Sequence, residues 1–368
     1  MDIGHPTQAM SIFGHGQYLQ MNFADALADR LAAGAAALTG SILARVCTPR
    51  LSILIFHRVH ARADLLFPDE PDAARFERIV RFAATGFRVL RLDDAISLLA
   101  NDNLPARSMV ITFDDGYADN TEVAMPILRR AGLPATFFIS TGFLDGGRMW
   151  NDTVIECIRA CKLEQIDLSV FGLGLQRLRS ISEQRETIGR VLKYVKYLDL
   201  TKREYAIREL VQLTRASQLP RNLMMSGAQV RQLHAVGMEI GAHTVNHPIL
   251  ATLGTDEAIQ EISVGKSALE AMIQAPVKTF AYPNGNPTSD YGISHVEIVR
   301  SCGFLGAVST AIGAAYAGVD LFQLPRFTPW NTSMAAWAVK LVANQTTAHY
   351  RQAALLEETK VLPDSGRR

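Results

Sequence analysis

Short runs rich in β-branched and aromatic residues recur along this chain, and a helix-period pattern lies between most of them. The runs are residues 51–56 (LSILIF), 108–113 (SMVITF), 135–140 (ATFFIS), 238–243 (MEIGAH), 277–282 (VKTFAY), 305–309 (LGAVS) and 321–327 (LFQLPRF). A run that is apolar on both faces suits a strand covered on both sides, the habit of parallel sheets. Residues 73–84 place Phe76, Ile79, Val80 and Ala83 on one stripe, and residues 122–131 stop before Gly132. Ser226 reads as the N-cap of a helix ending at Gly237, and residues 256–271 and 295–302 repeat the pattern. Strand–helix alternation of this kind predicts an α/β fold with a parallel sheet or barrel.

One segment interrupts the alternation. From Trp150 to about Met225 there is no strand signal, only charged amphipathic stretches at 185–197 and 202–216. It is expected to be a helical insertion, a scaffold or lid, on one side of the barrel. The expected organisation is an N-terminal helical extension over 1–48, a barrel over 49–340 carrying this insertion at about 150–225, and a tail over 341–368 that frays from about Ala348. Residues 31–44 (LAAGAAALTGSILA) are uncharged but only 14 long, and a spanning helix needs about 20. They are expected to pack on the body, with a shallow membrane contact as the second reading. Residues 1–30 show no basic start followed by an apolar stretch, so the expected location is cytoplasmic.

Charge excludes one class of partner. Lys plus Arg is 37 and Asp plus Glu is 36, which gives no electrostatic case for nucleic-acid binding. Four cysteines in 368 residues make no disulfide framework, and Cys157 and Cys161 are expected to be buried thiols.

Three strand ends carry polar residues of complementary type. The run 108–113 ends in Asp114, Asp115, Gly116 and Tyr117. Neighbours on a strand point to opposite faces, but a glycine at the strand's end lets the chain turn so that both acids reach one cleft. Asp-Asp-Gly is also ordinary turn chemistry. The run 238–243 leads into His243 and His247, two imidazoles four apart that could face one way on a helical turn and bind one ion. The run 277–282 ends in Tyr282, Pro283, Asn284 and Gly285, a shaped loop. In a parallel barrel the loops after the strands form the active face.

Asp115, His243 and His247 would give one carboxylate and two imidazoles, a set that leaves positions open for water and substrate. Asp114 then stands beside the ion as a base for a water acidified to a pKa of about 7. A backbone N–H near Gly116 and Tyr117 would help hold an oxyanion, and an acid must protonate the departing amine. The chemistry indicated is metal-assisted amide hydrolysis.

These motifs resemble the polysaccharide deacetylases, the carbohydrate esterases with a NodB-type domain. Thr112 to Gly116 (TFDDG) is similar to the family's first motif, His243 to Pro248 (HTVNHP) to its second, and Phe280 to Gly285 to a variant of its third. Residues 53–59 (ILIFHRV) resemble the opening strand and 134–142 (PATFFISTG) the strand after the first motif. Residues 149–152 (MWND) and 324–326 (LPR) are similar to segments of exopolysaccharide-locus members. The resemblance covers roughly residues 50–330. It implies a distorted (β/α)7 TIM-like barrel, a divalent metal, commonly zinc, and removal of N-acetyl groups from amino sugars. It places Asp114 as base and Asp115, His243 and His247 as metal ligands. The substrate expected is a saccharide of the exopolysaccharide or cell envelope, or its lipid-linked precursor.

Two departures stand out. The family's third motif usually begins with an Arg supporting the base, and here that place is Ala281. Arg326 is the candidate replacement, a structural salt bridge being the alternative. Many members also carry a late Leu…His motif for the acid. After Gly303 the only His is His349, outside any such pattern, so His57 at the end of the first strand is the candidate acid. Imidazole suits that role because its ordinary pKa is about 6.5. Tyr282 and Trp330 could stack on sugar rings, although aromatics at strand ends are as often core, and Trp150 and Asp152 could line the rim. The rival readings are another amide hydrolase on this scaffold and an inactive carbohydrate-binding relative.

Overall fold

The computed structural model describes residues 49–354 apart from 217, 288, 329–333 and 347–349, together with Leu27, Leu31 and Gly34. The remainder of the expected extension over 1–48, Trp330, His349 and the tail from residue 355 lie outside the described residues.

Seven parallel strands run in the spatial order β1 (Leu51–Phe56), β3 (Ser108–Phe113), β4 (Thr136–Ile139), β7 (Glu239–Ala242), β8 (Thr279–Ala281), β9 (Gly306–Ile312) and β10 (Leu324–Arg326). The ring then closes: Phe327 N–H donates to Ile53 O at 2.7 Å and Ile55 N–H to Phe327 O at 3.1 Å. The architecture is a nearly closed, distorted (β/α)7 barrel. A further short strand, β2 (Arg88–Leu90), lies beside the first half of β3 on the edge whose second half pairs with β4. Three residues are too few to leave a sequence signal, and β2 was not expected.

Alternation along each strand sorts its residues into two cores. Leu54, Phe56, Ile111, Phe113, Phe137, Ile240, Phe280 and Ala307 face outward into the main cluster with the surrounding helices. Leu51, Ile53, Val110, Phe138, Ala281, Val308 and Leu324 face inward and form a separate cluster with the helix α2 (Leu92–Ala100). Phe138 needs the space left by Gly241, where an added Cβ would lie 2.4 Å from its ring. The helix α2 lies across the N-terminal mouth of the barrel, with Leu92 N–H donating to Glu239 on β7 at 2.8 Å and to Thr136 on β4 at 3.4 Å.

The helix α1 (Ala73–Gly86) buries Phe76, Ile79, Val80 and Ala83, the expected stripe, and is capped by Asp72, whose carboxylate accepts from Arg75 N–H at 2.8 Å. The stretch before Gly132 departs from a plain helix. Residues Asn120–Ala124 form a π turn and α3 (Met125–Ala131) follows, with Gly132 left-handed at φ 66°. Pro126 has no N–H to return to Glu122, and the ladder widens there.

Between β4 and β7 lie α4 (Trp150–Ala160), α5 (Ile181–Val195) and α6 (Leu200–Thr214), packed on their own apolar cluster that includes Cys157 and Cys161 as free thiols. An antiparallel hairpin of β5 (Gln165–Asp167) and β6 (Leu175–Arg177) also sits there, where no strand was expected. The helices α7 (Gly227–Ala235), α8 (Thr255–Ile273), α9 (Ile293–Ser301) and α10 (Met334–Thr346) complete the described α-helices. Ser226 is the expected N-cap of α7, and it forms a capping box with Gln229. The chain does not fray at once after residue 348: Ala353 is buried, donating its N–H to Gln323 Oε1 at 2.7 Å and accepting from Nε2 at 3.1 Å. No helix among the described residues is long and apolar enough to cross a membrane.

Candidate metal centre

The inward rows that build the barrel core continue past the strands' C-terminal ends. On β1 the row is Leu51, Ile53, Ile55 and then His57. On β3 it is Ser108, Val110, Thr112 and then Asp114. On β7 it is Glu239, Gly241 and then His243. Strand periodicity therefore aims His57, Asp114 and His243 at one end of the barrel lumen, and Arg326 on β10 joins them from the row of Leu324.

Asp115 follows Asp114 and would point away. It is turned back by two consecutive left-handed residues, Asp115 at φ 75° and Gly116 at φ 90°. Such a conformation suits glycine and is unusual for aspartate, and it marks a place where the surroundings enforce the backbone. His247 is brought over by a loop and not by the helical turn expected for His at this spacing. Thr244 and His247 are left-handed at φ 64° and 50°. Glu261 on α8 grips the loop, accepting from Val245 N–H at 2.9 Å, Asn246 N–H at 2.8 Å and the Asn246 side chain at 2.7 Å. Asn246 shapes the loop.

The result is a compact donor set. His243 Nε2 and His247 Nε2 each lie 3.4 Å from Asp115 Oδ1, and one ligand atom from each of the three residues falls within 4.8 Å of the others. Asp115 Oδ1 is buried and has no hydrogen-bond partner among the described residues. A buried carboxylate oxygen without a donor is costly unless a cation occupies the place. His243 Nδ1 meets the carbonyl of Ala281 at 2.7 Å, which assigns the proton to Nδ1 and turns the Nε2 lone pair toward Asp115. One carboxylate and two imidazoles so arranged fit a divalent metal ion.

Electrostatics agree with a ligand set. Burial pushes His247 down to about 4 despite Asp115 beside it, so it is neutral and able to ligate. Burial opposes ionisation of Asp115, but the neighbouring imidazoles of His247, His243 and His57 hold its carboxyl well below the usual range. Burial likewise lowers His243, yet Asp115, Asp114 and the Ala281 carbonyl outweigh it and raise the imidazole. A cation would displace that proton.

Asp114 is 2% exposed and held by Arg326, which is 1% exposed. The pairing is bidentate, Nη1 to Oδ1 and Nη2 to Oδ2, both at 2.7 Å. Arg326 is fixed in turn by Ser309 O at 2.8 Å and Thr112 Oγ1 at 3.3 Å. Burial would raise the Asp114 carboxyl, but Arg326, His243 and His57 more than reverse this and keep it below the ordinary value. Ala281, which stands where the family motif usually has Arg, supplies the carbonyl that orients His243.

A cleft of about 390 Å³ opens over these groups, lined also by His57, Asn284, Thr310, Trp150, Lys193 and Lys196. The last two were not expected. They lie on a charged helix pattern that reads as solvated until the chain is folded. A neighbouring cleft of about 240 Å³ is lined by His57, Arg58, Tyr117 and Asp152. Tyr117 is buried, and its hydroxyl donates to Asp152 Oδ1 at 3.2 Å. The Gly116 N–H is spent on Asp114 O at 3.0 Å, leaving Tyr117 N–H as the candidate oxyanion donor of that turn.

Tyr282 corrects one expectation. It is fully buried, stacked on Tyr291 at 3.9 Å between ring centroids and 6° between planes, with its hydroxyl donating to Phe322 O at 3.0 Å. It belongs to the outer core, because its row on β8 is that of Phe280 and not that of Ala281, and it cannot meet a sugar.

Comparisons with known proteins agree with this geometry. Residues 101–306 match the family model described as polysaccharide deacetylase. A Bacillus subtilis protein named as a polysaccharide deacetylase, YxkH, is 34% identical over 92 residues, a match spanning 24% of this chain and 32% of that relative. Among solved structures, the deacetylase PplD of Streptococcus pyogenes superposes with a TM-score of 0.52 at 20% identity, covering 81% of this chain and 98% of that one. IcaB from Ammonifex degensii gives 0.51 at 20% identity, covering 79% and 97%.

Proposed function

The chain belongs to the polysaccharide deacetylase family, and from that premise we propose that it removes N-acetyl groups from an amino sugar of an exopolysaccharide or cell-envelope saccharide, or of its lipid-linked precursor, by metal-assisted amide hydrolysis. The observation that carries this is Asp114, ionised and clamped by Arg326, standing next to an Asp115–His243–His247 set with an unpartnered carboxylate oxygen.

A divalent ion held by those three side chains, zinc being the ordinary choice for this donor set, would supply Lewis acidity and an acidified water. Asp114 takes a proton from the attacking water. Arg326 fixes both carboxylate oxygens, so the base meets the water in one orientation and pays no reorganisation on reaction. Tyr117 N–H donates to the oxyanion that forms on the amide carbon. His57, on the inward row of β1 and lining the same cleft, gives its proton to the departing amine. Water adds to the carbonyl carbon, the C–N bond breaks, and acetate and a free amine leave. The missing Arg at Ala281 no longer argues for an inactive relative, since Arg326 reaches Asp114 from β10.

The test is acetate release from N-acetylated oligosaccharides, with and without a chelator, by wild type and Asp114→Asn. Release that the chelator stops and zinc restores, and that the variant lacks while keeping its metal, supports the assignment. Chelator-insensitive release, or full turnover by the variant, overturns it.

A further inference from the structure

Resting on that reading, and naming its substrate more closely, we infer that the helical insertion forms an anion-recognising wall of the cleft, with Lys193 and Lys196 binding a carboxylate or phosphate carried by the saccharide next to the acetylated sugar.

The two lysines come from the end of α5, Lys196 as its C-cap, and both line the cleft above Asp114 and Asp115. Neither forms an ion pair with an acid among the described residues, although Lys202 nearby is paired with Asp199 at 2.8 Å. Among the described residues, the acids lining the cleft are Asp114 and Asp115, one matched by Arg326 and the other in the donor set. Two lysines therefore line the cleft without a paired acid, Lys196 with its ammonium over the Tyr197 ring at 5.4 Å. A concave surface with one sign of charge concentrates ligands of the opposite sign.

This end of α5 is also held firmly. Arg203 on α6 is 4% exposed, donates to the carbonyls of Lys196 at 3.0 Å and Leu198 at 3.2 Å, and stacks on Trp150 at 4.9 Å. Trp150 lines the cleft and leaves its buried indole N–H without an acceptor among the described residues. A wall carrying two cations on a firmly held helix end matches an anionic group. Lysines at a helix C-terminus also complement the helix dipole, and the test must separate that role from ligand binding.

Two substrate pairs serve: an N-acetylhexosamine oligosaccharide bearing a hexuronate against its carboxyl-reduced form, and an N-acetylhexosamine 1-phosphate glycan against its dephosphorylated form. In wild type at low salt, kcat/KM for at least one anionic member exceeds its neutral partner about tenfold, through KM, the scale of two exposed charge contacts. In Lys193→Gln/Lys196→Gln that ratio falls to about one, as it does for wild type in about 0.5 M salt. Which pair responds identifies the anion's source. A ratio near one in wild type for both pairs overturns the inference. So does a variant that loses stability but keeps the ratio, for then the lysines only complete the helix. If no acetate is released from any substrate, the deacetylase reading fails by itself. Titration calorimetry with the hexuronate and phosphate glycans then decides: binding weakened about tenfold in the variant upholds the anion wall, and binding unaffected by it does not.

Discussion

The barrel has two rims built on the same inward rows, and each holds buried acids, yet the acids are treated in opposite ways. At the N-terminal rim Glu239 accepts from Leu92 N–H at 2.8 Å, Asp93 N–H at 3.2 Å, Thr136 Oγ1 at 2.8 Å and Thr279 Oγ1 at 2.7 Å. Every donor is a fixed part of the fold, and the carboxylate ties α2 to three strands. Four residues further along the same row of β7 stands His243, in the rim where Asp115 Oδ1 and Asp152 Oδ2 find no donor. Those two oxygens are open to a ligand or a proton, whereas the Glu239 carboxylate is filled by the fold itself. Burial alone does not separate structural from functional acids; the kind of partner does: fixed neutral donors for Glu239, a buried cation for Asp114 and none for Asp115 Oδ1.

The largest effect should follow from changing Asp114, the acid matched to a cation in place of simple donors. Asp114→Asn is expected to lower acetate release roughly 10²- to 10⁴-fold, the scale of a lost general base. It also leaves the Arg326 guanidinium buried with half its partner, so chemical denaturation should show a loss of about 3 kcal/mol. Metal content, by elemental analysis, should be unchanged. Next comes Glu239→Ala, which strands two helix N–H groups and two hydroxyls at the opposite rim. A destabilisation of about 3 kcal/mol is expected, with zinc affinity unaltered. A drop in zinc affinity would show that the two rims are coupled and would break the comparison.

The same contrast explains what could be read from the residues alone. The strands were legible because parallel strands are apolar on both faces, and Asp114, Asp115, His243 and His247 because they break such runs at their ends. Arg326 was visible as a charge inside an apolar run, but its bond to Asp114 depends on ring closure between β10 and β1. Glu239 lies within the run 238–243 and carries no signal of its own there. A glutamate opening a strand looks solvated until α2, about 150 residues earlier in the chain, covers it. The side of Tyr282 is not legible, because an aromatic at a strand end can take either face, and only the register of β8 decides. Lys193 and Lys196 look like any solvated helix face, since nothing local says which side meets the cleft.

Asp152 sharpens the comparison by pH. Burial, helped by Asp115 and Glu156 and opposed by Arg58 and the Tyr117 hydroxyl, pushes its carboxyl up to about 7. The folded form thus holds a proton that the unfolded chain releases near the ordinary value of 3.8. Between these values the native state binds more protons, so stability falls as pH rises and levels off above the folded value. In chelator-treated protein this group should cost about 2–3 kcal/mol between pH 5 and pH 8. Asp152→Asn, which can still accept from Tyr117, should remove that part of the slope in urea midpoints. An unchanged slope would mean that Asp152 is already ionised and paired.

Asp115→Ala should have the smallest effect on the bare fold and is the closest counterpart to Glu239→Ala. Both remove a carboxylate about as deeply buried, and counting burial alone predicts similar losses. Counting partners predicts otherwise, because Asp115 Oδ1 receives no hydrogen bond and its neighbours are two imidazoles that can stay neutral. In metal-free protein the change should therefore be under about 1 kcal/mol, the offset between a lost ionic contact and a relieved desolvation cost. Zinc should then reveal the difference. At about 100 times its dissociation constant it should stabilise wild type by about 2.7 kcal/mol and the variant hardly at all. Thermal or urea unfolding with and without zinc measures both quantities at once. A loss in metal-free Asp115→Ala as large as that of Glu239→Ala would make Asp115 a member of the scaffold and remove the distinction between the rims.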